Sequence, residues 1–370
     1  MVHSTLWNSI FKDFEEICSN YDHVWMTRRR RFDTFSLLRS LMDLVAGSES
    51  CYASVMHRFQ SKEASVPAAS SFCEARSKLP STVLFDINRD LFELVSEKTE
   101  PMNWFGYTPL AMDGSIINIP SKMIGKGFRL ANALCPSALL TSLVRVSDRM
   151  LLGLDLSSDF DERAQAHKFL DRLDSEHLVV YDRGYLSFGL LNDHLNRGIA
   201  GVFRVSSGNI FRELDEFMLS EAVDEIIEID PTDATYRNTR KAQPEIEIGP
   251  TEVRAMKYQI GKTTYLLITT ILDKSIPKSA FQDLYAKRWR IEEFLKSFKI
   301  TINAEHFHSL SVNGIEQELQ AAGILWNLSR SLQVVSAPFK KKLSQAQKHR
   351  SISVTLDRSL YILLGISTNS

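Results

Sequence analysis

The order of apolar runs between residues 107 and 205 constrains the fold of this chain more than any other feature. "YTPLAMDGSIINIP" (107–120) reads as a strand running into a turn, and "ALLTSLVRVSDRMLLGLDL" (138–156) as two apolar strands around Ser147 and Asp148, a hairpin. "DFDERAQAHKFLDRL" (159–173) is amphipathic at helical spacing. "HLVVYDRGY" (177–185) is a short apolar strand with a polar tip, "LSFGLLNDHLN" is a helix, and "GIAGVFRV" is another strand. Strand, hairpin, helix, strand, helix, strand is an α/β order, and it predicts a mixed sheet with helices on its faces.

The flanks have a different texture. Residues 1–105 read as helical: "FDTFSLLRSLMDLVAG" (32–47) and "STVLFDINRDLFELVSEK" (81–98) place apolar residues at helical spacing. Residues 206–275 read as a β-rich insertion, from "EIIEI", "EIEIG", "TEVRAMKYQI" and "TTYLLITTI", with Gly261 and Lys262 as a hairpin turn. A long helix starts near 279 and a second spans about 313–335. The expected organisation is therefore a helical domain (1–105), an α/β core from 106–205 and 276–335, the insertion at 206–275, and a terminal segment (336–370) with no assigned role.

Composition excludes little. At 370 residues, 44% hydrophobic and 24% charged, the chain has the make-up of a soluble globular protein. No window approaches the ~20 apolar residues of a membrane span, and no secretion signal is read at the N-terminus, so a cytoplasmic, nucleoid-associated location is expected. Cys18, Cys51, Cys73 and Cys135 have no metal-site spacing and read as buried apolar residues in a reducing compartment. The net charge of -1 hides local clusters: Arg28, Arg29, Arg30 and Arg31 are consecutive, and basic residues outnumber acidic ones between 275 and 358. The arginine run either makes residues 1–105 a helical DNA-binding domain, through contacts to phosphates, or is a solvated helix start.

Three segments could carry chemistry. In "YAKRWRIEEFLKSFK" (285–299), Tyr285, Arg288, Glu292 and Lys299 fall within an arc of roughly 60°, while Leu284, Ile291, Leu295 and Phe298 form an apolar stripe about 90° away. A carboxylate between two cations on one face suits a metal ligand beside phosphate contacts; it equally suits a solvated face of salt bridges. Asp113, near the end of its strand, precedes Gly114, and Asp182 precedes Arg183 and Gly184. Each could be a turn residue, but two aspartates at the ends of buried strands in one sheet also mark where sites sit. Arg183 reads either as a DNA contact or as a structural ion pair. His306 and His308 lack further ligands at zinc spacing and read as surface or supporting histidines, and Trp289 reads as packing.

Tyr285, Arg288, Glu292 and Lys299 with their gaps, Asp113 in "MDGSIINIP" and Asp182 in "YDRGY" together resemble the DDE transposases of bacterial insertion sequences. They resemble in particular the group with a Tyr-(2)-Arg-(3)-Glu-(6)-Lys signature, the insertion-sequence-four family. "FCEARSKL" (72–79) is similar to the end of that family's N-terminal region, and the likeness runs from about 30 to 335. The resemblance implies a ribonuclease-H-like fold in which Asp113, Asp182 and Glu292 hold two Mg²⁺ ions, with Mn²⁺ able to substitute. It implies cleavage at transposon terminal inverted repeats and strand transfer into target DNA, through a hairpin intermediate, by a DNA-bound homodimer with no small-molecule substrate or membrane. Tyr285, Arg288 and Lys299 would hold phosphates. Relatives stack a flipped base on a tryptophan of the insertion; none of the five tryptophans here lies in 206–275, leaving Tyr236, Tyr258 or Tyr265 for that task. The rival readings are a ribonuclease-H-like nuclease without strand transfer, and a silent or domesticated DNA-binding protein.

Overall fold

The computed structural model describes residues 2–27, 32–46, 68–99, 101, 103–130, 136–206, 211–242, 248–301 and 307–344. Its centre is a strand, β3 (Pro136–Arg145), in which every residue is buried. Such a run can exist only with protein on both faces and neighbours on both edges. On one edge lies β1 (Thr108–Asn118), antiparallel. On the other lie β2 (Arg129–Leu130) and β4 (Leu151–Ser157), the latter closing the hairpin expected around Ser147. Beyond β1 come β5 (His177–Tyr181) and β6 (Ala200–Arg204), both parallel to it. In the order β4–β3–β1–β5–β6, β3 runs antiparallel to both of its neighbours and β5 and β6 run parallel to β1, which is the mixed sheet expected from the order of elements.

The insertion continues the same sheet. β7 (Asp224–Ile229), β8 (Thr251–Ile260) and β9 (Thr263–Thr269) add antiparallel strands beyond β6 in the order β6–β9–β8–β7. Gly261, at φ 62, makes the expected β8–β9 turn. This region also carries two short helices, Arg212–Leu219 and Asp233–Ala242, which the reading as a mostly β segment missed. The "EIEIG" run lies largely outside the described residues.

Side-chain alternation decides what covers each face. Leu110, Met112, Val179 and Tyr181 point into a core shared with Trp7, Phe14, Leu37, Leu84 and Leu91 of the N-terminal helices. The intervening residues Ala111, Leu178 and Val180 point to the opposite face. There they meet two long helices, Lys278–Thr301 and Val312–Ser344, through Phe281, Leu284, Ile291, Phe294 and Ile315. The N-terminal helices are thus built onto the sheet rather than around a separate core. Cys18 is buried as expected; Cys73 is exposed, because it falls on the polar side of the helix Ala69–Lys78, and the other two cysteines lie outside the described residues. No helix among the described residues is long and apolar enough to cross a membrane.

One buried polar pair anchors the strand that carries the site. The Tyr181 ring stacks on Phe203 at 4.8 Å, and its hydroxyl lies 2.9 Å from Nε2 of His194, whose Nδ1 is 3.0 Å from the Ile199 carbonyl. The Nδ1–H therefore donates to the carbonyl and Nε2 accepts from the tyrosine, which requires a neutral ring. Burial lowers the His194 pKa to about 4. An unfolded histidine binds its proton near 6.5, so between about pH 6.5 and 4 the unfolded chain holds the extra proton. Stability contributed by neutral His194 is complete above that window and is lost as pH falls through it, by about 3 kcal/mol. Urea denaturation at pH 7 and pH 5 should show this slope in the wild type and a flatter one in His194→Gln; equal slopes would remove His194 from the account.

Candidate active site

The parallel register brings the two aspartates together. Ala111 pairs with Val180, and that rung is the last between β1 and β5. Asp113 and Asp182 each follow two residues later, so both project to the same face, just past the end of the paired segment. Asp113 is not at its strand's end, as the sequence suggested: β1 continues to Asn118 against β3, with Asp113 opposite Ser142. What ends at Ala111 is only the pairing to β5, and the strands part there.

The helix Lys278–Thr301 packs on that face and supplies the third carboxylate. Its expected stripe is buried: Leu284 and Ile291 are 1% exposed and Phe298 0%. The adjacent polar edge is thereby turned toward the aspartates. The Tyr285 hydroxyl donates to Asp182 Oδ1 at 2.9 Å. Arg288, only 3% exposed, places Nη2 3.1 Å from Glu292 Oε1 and 3.7 Å from Asp182 Oδ2. Arg204, at the end of β6, lies 3.8 Å from Asp182 Oδ1 and stacks over Tyr265 at 4.7 Å. Lys299 Nζ donates to the Ile116 carbonyl at 2.9 Å, near the far end of β1. The structure therefore brings Asp113, Asp182, Glu292, Tyr285, Arg288 and Lys299 to one region of one face. Tyr285 and Arg288 hold carboxylates here.

Electrostatics split the site. Burial pushes Asp113 up to about 6, with Glu162 and Asp182 adding to the rise against the pull of Arg288 and the Gly114 N–H. Burial also acts upward on Asp182, but Arg288, the Arg183 N–H, Tyr285 and Arg204 outweigh it, and its pKa falls. Asp113, which feels Arg288 but forms no ion pair with it, thus stays raised, while Asp182, with Arg288, Arg204 and the Tyr285 hydroxyl, is lowered.

Several residues fall outside this cluster. Arg28, Arg29, Arg30 and Arg31 lie outside the described residues, as does His306. Arg183 is exposed beside Asp182. His308 is a supporting residue: its backbone N–H donates to Glu318 Oε2 at 2.8 Å. Trp289 corrects the packing expectation, since it is 61% exposed. Its helical angle lies about 150° from the buried stripe, a signal that was available in the spacing. With Ile260, Tyr265, Tyr285 and Arg204 it lines a pocket of about 270 Å³ beside Asp182. Tyr258 lines the same pocket, but its hydroxyl is committed to the Lys278 carbonyl at 2.7 Å; Tyr236 pairs with Arg240 on the helix Asp233–Ala242 instead.

The donor set fits a hard divalent cation, because every candidate ligand is a carboxylate oxygen. Among the described residues no three acidic, histidine or cysteine side chains converge into a ready cage.

Comparison with known proteins gives three findings. The family model described as a transposase DDE domain matches residues 104–328. Transposase InsG for insertion sequence element IS4, from Escherichia coli (strain K12), is 24% identical over 277 residues, covering 71% of this chain and 60% of that protein. This chain thus spans about 60% of the length of that curated relative. The cryo-EM structure of piggyBac transposase in a synaptic complex with hairpin DNA aligns over 98% of this chain and 80% of that one, with 12% identity and a TM-score of 0.46.

Proposed function

The chain belongs to the DDE transposase family, and from that premise we propose that it is a DNA transposase whose metal-binding carboxylates are Asp113, Asp182 and Glu292. The observation that carries this reading is the β1–β5 register, which sets the two aspartates side by side facing the helix of Glu292. DDE transposases in general depend on a divalent metal, here Mg²⁺ or Mn²⁺. Two such ions supply stabilisation of the attacking and leaving oxygens in an in-line displacement at phosphorus.

The chain's own residues do the rest. Arg288 bridges Asp182 and Glu292 and keeps those carboxylates from repelling one another in the protein alone. When cation and DNA are bound, its fork turns to a phosphate, for which its geometry is suited. Tyr285 fixes the rotamer of Asp182. Lys299 and Arg183 lie at the edges of the site as point charges for flanking phosphates. Residues 1–105, with Arg28 to Arg31, grip the terminal repeat, and a DNA-bound homodimer joins two ends to target DNA.

The pocket under Trp289 supports a hairpin step, because it offers an exposed indole, Tyr265 and Arg204 beside the carboxylates for a base turned out of the stack. Trp289→Ala should leave first-strand nicking near wild type and slow hairpin formation about 10-fold or more. Equal hairpin yields from both proteins on denaturing gels would exclude the indole from that step. The test of the whole reading is incubation with a candidate element end and Mg²⁺ or Mn²⁺, wild type beside Asp113, Asp182 and Glu292 variants.

A further inference from the structure

Of four carboxylates around the centre, two have a cation and two do not. Asp182 and Glu292 share Arg288, and Asp182 has Arg204 and the Tyr285 hydroxyl besides. Asp113 and Glu162 form no ion pair among the described residues, and no motif or spacing singles out Glu162. It is the first residue of the helix Glu162–Leu170, where an acidic side chain reads as a cap. Capping, however, is done by the preceding residue: Asp161 accepts from the N–H groups of Arg163 and Ala164. Glu162 is left free for another task.

Its carboxylate lies over the backbone of both aspartate segments. A Cβ added at Gly114, next to Asp113, would stand 2.8 Å from Glu162 Oε1 and 3.2 Å from Cδ. A Cβ at Gly184, two residues after Asp182, would stand 3.7 Å from Oε2. Glycine at 114 is thus what lets this carboxylate approach the site. A second, independent sign of an expected ligand is Tyr185. It is 1% exposed, its hydroxyl is buried with no hydrogen-bond partner, and it sits one residue after Gly184, over which the Glu162 carboxylate lies. A buried hydroxyl without a partner is unfavourable, and a metal-bound water beside it would satisfy it. An open cleft of about 740 Å³, lined by Asp159, Asp161, Glu162, Arg163 and Gly184, gives solvent access to this side.

We infer that Glu162 is a fourth carboxylate of the active centre, holding a divalent cation with Asp113 on the side away from Arg288, through an ordered water that also meets the Tyr185 hydroxyl. This rests on the reading of Asp113, Asp182 and Glu292 as the metal-binding set, and it explains where positive charge is missing from that set.

The test is Mn²⁺ binding to the full chain without DNA, read by electron paramagnetic resonance, together with melting temperatures with and without Mn²⁺. Glu162→Gln should weaken the tightest Mn²⁺ site about 10-fold or more, and Glu162→Asp less, while the exposed control Glu176→Gln matches wild type. In metal-free buffer Glu162→Gln should melt at or above the wild-type temperature, since it removes an unpaired charge. A purely structural glutamate would instead give a lower melting temperature and unchanged Mn²⁺ affinity, and that result would overturn the inference. If Asp113→Asn loses Mn²⁺ and Glu162→Gln does not, Glu162 is excluded and the three-carboxylate site stands. If neither variant affects Mn²⁺, the three-carboxylate reading fails with it.

Discussion

Asp113→Asn is expected to lower strand cleavage by about 10³-fold or more while leaving the fold and DNA binding in place. The asparagine is isosteric and its carbonyl oxygen can still accept from the Gly114 N–H, which lies 3.0 Å from the present carboxylate. What it removes is a charge that burial already disfavours, with Glu162 and Asp182 adding to the cost. The metal-free variant should therefore melt no lower than wild type. Asp182→Asn should lose cleavage to a similar degree but melt lower, because its charge is held by Arg288, Arg204 and Tyr285. This contrast separates loss of chemistry from loss of structure. Cleavage by Asp113→Asn at a near wild-type rate would remove that residue from the site. Nicking by the wild type without joining of pre-cleaved ends would favour the nuclease reading, and DNA binding without any cleavage the silent one.

The elements that position this site were legible because each announces itself locally. The apolar runs at 108–118 and 177–181, the hairpin, and the helix bearing Glu292 follow from periodicity. The match of Ala111 with Val180 did not, since strand register depends on partners far apart in sequence. Nor could spacing say that Arg288 is buried between two carboxylates. A helical wheel places it on a polar edge, and only the packing of Ile291 and Phe298 turns that edge inward. Glu162 was hidden by a plausible local role, as one of two acidic residues where a helix begins. The helices of the insertion were missed because the first is short and the second almost wholly polar, so neither carries a buried stripe long enough to register.

Arg76→Met is expected to destabilise the folded chain by about 3–5 kcal/mol, the cost of stranding a buried charge. Arg76 sits in the "FCEARSKL" segment and is 5% exposed. Its guanidinium donates to Glu318 Oε1 at 2.6 Å, to the Gly314 carbonyl at 2.5 Å and to Gln317 Oε1 at 2.9 Å. Glu318, 2% exposed, has His308 as its other partner, and Gln317 returns hydrogen bonds to the carbonyls of Arg76 and Leu79. Methionine fills the space but leaves the Glu318 carboxylate desolvated without the charge of Arg76. The effect should reach the site, because the helix Val312–Ser344 packs Trp326 edge-on against Phe294 at 5.0 Å, two residues from Glu292. Loosening it frees the helix on which Tyr285, Arg288 and Glu292 are aligned. Urea denaturation should show the lowered midpoint, and Arg76→Met combined with Glu318→Met should recover most of the loss, since the pair is then removed together. A single variant as stable as wild type would mean that this network does not tie the N-terminal helices to the catalytic face.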